Sequence, residues 1–81
     1  PFARLVVPRP LLGRMLAHAR AALPDECCGL LAGGVGGDGT ATAAAVFLVR
    51  NAAASPTAYE SDPRDMLAAF KAMRAGGTEL L

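Results

Sequence analysis

Residues 26–50 read ECCGLLAGGVGGDGTATAAAVFLVR, two apolar segments joined by a glycine-rich octet. The first segment, 26–33, is short, apolar and bounded by breakers, which predicts a strand buried on both faces. The segment 41–50 predicts the returning strand. The glycines of 33–40 do not form a phosphate cradle: no Lys-Ser or Lys-Thr follows them and no helix opens behind them. A hairpin tip is the reading they support.

The flanking sequence adds helices on both sides of this hairpin. Residues 2–7 (FARLVV) predict a leading strand. Pro8 and Pro10 then punctuate, and Pro10 suits the first turn of a helix over 11–23. Its apolar positions Leu11, Leu12, Met15, Leu16, Ala19, Ala22 and Leu23 define one buried face. Arg14, His18 and Arg20 fall off that face, and Pro24 ends the helix. After a polar loop over 51–61, Asp62 is placed to cap a second helix, with Pro63 at its first position and Asp65 near the positive end of the dipole. Met66, Leu67, Phe70 and Met73 form its expected stripe, and Gly76-Gly77 stops it. Residues 78–81 (TELL) open a further apolar run. The order is strand, helix, strand, strand, helix, strand, an α/β (α+β) pattern with a mixed sheet and helices packed on it. A last strand so short pairs little and leaves an exposed edge. The sequence therefore reads as stopping inside a domain, and its open edge is expected to pair with another chain, a homodimer among the forms this could take.

Composition narrows the function. A chain of 81 residues makes one small domain with a marginal core, burying about 60% of its unfolded surface. Of its residues 18 are alanine, so the core is expected to rest on Leu, Val, Met and Phe. The net charge is +1 with the charges scattered, which argues against a nucleic-acid footprint. No apolar run reaches the roughly 20 residues of a bilayer span. No secretory signal is recognisable at the start. The two cysteines, Cys27 and Cys28, are adjacent, and neighbours on a strand point to opposite faces, so a disulfide between them would be strained. Reduced thiols and a cytoplasmic setting follow.

The segment LPDECCGLLAG resembles the N-terminal half of the bacterial JAMM (MPN+, Mov34/PAD-1) zinc metallopeptidases. Three further stretches carry the resemblance in the same order: LVVP leading into LGRMLAH; Asn51 followed by Ser55-Pro56 and Tyr59; and DPRDMLAAFKAMRAGG leading into TELL. The resemblance implies a JAMM/MPN (cytidine-deaminase-like) fold, with residues 1–81 as the N-terminal part of a single domain. It implies a Zn2+ cofactor in the complete domain, held by a His-x-His motif and a downstream Ser-x-x-Asp. Neither motif occurs in this chain, and its single histidine, His18, matches no family ligand.

What the resemblance transfers is Glu26, which corresponds to the family's general acid/base. Zinc with an open position lowers the pKa of bound water, and a carboxylate beside it relays the proton to the leaving amine. Without the resemblance, Glu26 is a solvated strand-end residue. Asn51, Ser55 and Tyr59 are candidates for a substrate groove, with structural loop capping as the alternative. Cys27 and Cys28 read as small core residues, since zinc sites need wider spacing and further ligands; a thiol redox protein is the third reading. The expected function is a zinc peptidase or isopeptidase acting near the C-terminus of a ubiquitin-like or sulfur-carrier protein, the latter tied to cysteine or thiocofactor synthesis. The alternative is a metal-free scaffold of the same type that binds a protein partner.

Overall fold

In a computed structural model, the protein is described over residues 2–53, 57 and 60–81. The elements run β1 (Arg4–Val6), α1 (Arg9–Ala22), β2 (Cys28–Val35), β3 (Thr40–Val49), α2 (Pro63–Gly76) and β4 (Glu79–Leu80). The fold is α+β: the strands form one mixed sheet in the order β1-β3-β2-β4, with β1 parallel to β3 and the other pairs antiparallel.

The hairpin forms as its sequence dictates. The Gly36 N–H donates to the Thr40 carbonyl, and Asp38 accepts from both the N–H and the hydroxyl of Thr40. Those bonds hold the Asp38 carboxyl below its ordinary pKa. The ladder shifts register between Ala32 and Gly33, where β2 carries a bulge. A Cβ on Gly33 would stand 2.0 Å from the Thr42 carbonyl oxygen, so only glycine fits there.

Pairing puts Leu30 opposite Phe47 and Ala32 opposite Ala45, on one face of the sheet. Against that face α2 lays Ala69 and Met73. Leu31 with Val46 and Gly29 with Leu48 share the other face. Met15 and His18 of α1 line an apolar cavity of about 450 Å³ with those residues.

Several expectations are corrected. The core is alanine-rich: the buried hydrophobic residues among those described are Ala32, Ala41, Ala43, Val46, Val49, Ala69 and Met73. Leucine and phenylalanine side chains extend instead into half-covered space. Strand β2 is not buried on both faces; it is fully covered only at Ala32 and Gly33, because the cavity on the α1 side stays open. On α2 the buried stripe runs through Ala69 and Met73, whereas Leu67 is 56% and Phe70 42% exposed. From the same helix Asp65 bonds Arg50. Strand β2 begins at Cys28, two residues after Glu26. The accessible surface is 5433 Å², about 900 Å² more than a compact protein of this mass exposes.

Candidate functional site

The end of α1, the approach to β2 and the end of β3 converge on a cleft of about 510 Å³. His18, Glu26, Cys27, Arg50 and Asn51 lie along it. Each is placed by a local device. Arg20 and Leu23 close the last turn of α1, and a Leu23–Pro24 cis peptide leads into Asp25 and Glu26.

His18 faces the sheet, contrary to the surface position expected for it. Its Nε2 lies 3.0 Å from the Cys28 carbonyl oxygen and 3.3 Å from that of Val49. Both are acceptors, so Nε2 carries the proton and donates to them. Histidine thus ties α1 to the starts and ends of two strands. The signal was present in the sequence: His18 follows Met15 by three and Leu11 by seven residues, on one helical face.

The cysteines divide as neighbours on extended chain do. The Cys28 thiol is half-buried and donates to the Val49 carbonyl at 3.3 Å, with a longer contact to that of Arg50 at 3.6 Å. Cys27 is exposed, not a core residue, and lines both the cleft and the apolar cavity.

Arg50 and Asp65 form the strongest charge pairing described. Arg50 Nε and Nη2 donate to the two Asp65 carboxylate oxygens at 3.0 and 3.1 Å, and the Arg50 backbone N–H adds a third bond at 2.9 Å. These bonds hold the Asp65 carboxyl below its ordinary pKa and push the arginine up. Asp62 caps α2 by accepting from the N–H groups of Arg64 and Asp65. Sequence reading found the cap but not the long-range pair.

Glu26 is half-buried on the cleft. Its backbone carbonyl accepts from Asn51 Nδ2 at 2.8 Å. Its carboxylate has no hydrogen-bond or ion-pair partner among the described residues. A carboxylate so placed is available to exchange protons with a bound molecule. Asn51 thus meets Glu26 at the cleft, while Ser55 and Tyr59 lie outside the described residues. Among the described residues no three His, Cys, Asp or Glu side chains cluster to hold a metal ion. The described residues do not by themselves fit a zinc ion.

Residues 8–81 match the family of prokaryotic homologs of the JAB domain. The chain belongs to that family. It is 41% identical over 69 residues to CysO-cysteine peptidases of Mycobacterium bovis and Mycobacterium tuberculosis, an alignment covering 85% of this chain and 45% of each relative. The chain thus aligns with less than half the length of these curated relatives. The solution structure of a Desulfitobacterium hafniense protein superposes with a TM-score of 0.82 at 40% identity, covering 95% of this chain and 52% of that one. Within this JAB-domain chain, Asp25 and Glu26 are the acids that line the cleft. No helix among the described residues is long and apolar enough to cross a membrane.

Proposed function

We propose that this chain is the N-terminal part of a peptidase domain whose Glu26 is the general acid/base. The observation that carries the reading is the Glu26 carboxylate, half-buried on a cleft and without a partner among the described residues, in a chain of this family. The carboxylate takes a proton from a water attacking the scissile carbonyl. It returns that proton to the departing amine nitrogen as the C–N bond breaks. Asn51, Arg50 and His18 shape the cleft around this exchange.

The partial coverage of the relatives and the excess exposed surface support residues 1–81 as one part of a longer domain. Zinc is the metal proposed for the complete domain, with its ligands outside these residues. The proposed substrate is a peptide-like bond at the C-terminus of a sulfur-carrier or other ubiquitin-like protein, supported by relatives named CysO-cysteine peptidase.

The test uses the full-length protein and a sulfur-carrier protein bearing a C-terminal aminoacyl adduct. The expected outcome is release of the amino acid, read by intact mass, with loss of activity on chelation and recovery with Zn2+. Tight binding of the carrier without any cleavage, in metal-loaded protein, would replace the peptidase with the scaffold.

A further inference from the structure

We infer that Asn51 is the positioning residue of this site: its side-chain amide fixes the Glu26 carbonyl and thereby sets where the carboxylate stands. The inference rests on the role proposed for Glu26.

Glu26 lies outside regular structure. The β2–β3 ladder begins at the Cys28–Val49 pair, so no strand hydrogen bond orders the peptide before it. Asn51 Nδ2 supplies the missing bond, donating to the Glu26 carbonyl at 2.8 Å. Its Oδ1 accepts from the backbone N–H groups of Ala53 and Glu60, both at 3.0 Å. One short side chain therefore staples the approach to β2 onto the loop that follows β3. A donor and a twofold acceptor are both required, and on so short a stem asparagine provides them.

The staple is itself anchored. Asp65 binds the backbone N–H of Arg50, the Arg50 carbonyl accepts from the Asp62 N–H, and Asn51 bridges to Ser61. The N-terminus of α2 thus fixes Arg50 and Asn51, and Asn51 fixes Glu26. Holding the backbone rather than the carboxylate leaves the acid free for proton exchange. Asn51 accordingly acts through Glu26 rather than on the reacting atoms.

The test is made on the full-length protein with Asn51→Asp, which keeps both acceptor bonds and removes the donor. Asn51→Ala, which removes the donor bond and both of these acceptor bonds, is its companion. The Cys27 N–H shares a peptide plane with the Glu26 carbonyl, so its NMR order parameter reports the staple. Both variants are expected to lower that order parameter from a rigid value of about 0.85 toward 0.6. In Asn51→Asp the Ala53 and Glu60 amides stay ordered; in Asn51→Ala they loosen as well. Turnover is expected to fall roughly tenfold or more with KM changed less than about twofold, the pattern of a misplaced acid rather than a lost binding contact. Unchanged order at Cys27 in both variants would overturn the inference and leave the role of Glu26 standing. Lost order with unchanged turnover would also overturn the inference, and the role of Glu26 would then rest on the Glu26→Gln variant alone.

Discussion

The two helices are equal in length, 14 residues each, and both carry proline in the first turn, yet they are fastened differently. Helix α2 is capped by the Asp62 side chain at one end and by left-handed Gly77 at the other, and it buries Ala69 and Met73. Helix α1 has no side-chain cap, no acid in its first turn and no buried residue. Its specific polar tie to the sheet is His18, bonded to two strand-end carbonyls. The difference separates two jobs. Helix α2 is framework, and its N-terminus holds the Arg50–Asn51 corner behind Glu26. Helix α1 is a wall of the cleft, tied to the sheet at the level of the site by His18.

The largest expected effect that probes this contrast is in packing. Met73 is 4% exposed and Leu16 is 48% exposed. Met73→Ala is expected to cost about 2–4 kcal/mol, by lost burial and the cavity left behind, and Leu16→Ala less than about 1 kcal/mol. Urea denaturation monitored by circular dichroism measures both. Equal costs would erase the distinction between the helices.

A smaller effect sharpens the same point through pH. Arg50 holds the Asp65 carboxyl below its ordinary value of 3.8. A carboxyl depressed in the folded state adds stability that is present above its unfolded pKa and is lost as pH falls through the folded one. Stability should therefore drop below about pH 4, and Asp65→Asn should flatten that part of the curve. Because Arg50 is exposed, the change is modest and salt weakens it. Melting temperatures of the two proteins from neutral to acid pH measure it, and parallel curves would contradict the assignment.

Local chemistry in the sequence accounts for much of this framework. Asp62, Pro63 and Gly77 mark α2 because capping depends on adjacent residues alone. The glycine octet marks the hairpin for the same reason. What was not legible depends on contacts between distant segments. Leu67 and Phe70 look like core by spacing, but the face of α2 that packs on the sheet runs through Ala69 and Met73. His18 looks like surface by polarity, although its spacing from Met15 and Leu11 places it on the sheet-facing side. The bulge at Ala32 and Gly33 appears only when two strands are paired. At the site, Glu26 stood out through family resemblance, and the geometry adds its free carboxylate. Asn51 is a groove candidate by sequence, with structural loop capping as the alternative; its bonds to the Ala53 and Glu60 N–H groups are of that capping kind, and only its bond to Glu26 depends on the distant pairing.

The proton-shuttling role proposed for Glu26 is most directly tested by Glu26→Gln in the full-length protein, with turnover measured beside metal content and melting temperature. Turnover is expected to fall by about 10²–10⁴-fold, while metal content and melting temperature stay at wild-type values. A variant that cleaves its substrate at the wild-type rate would show that the acid beside β2 takes no part in the chemistry.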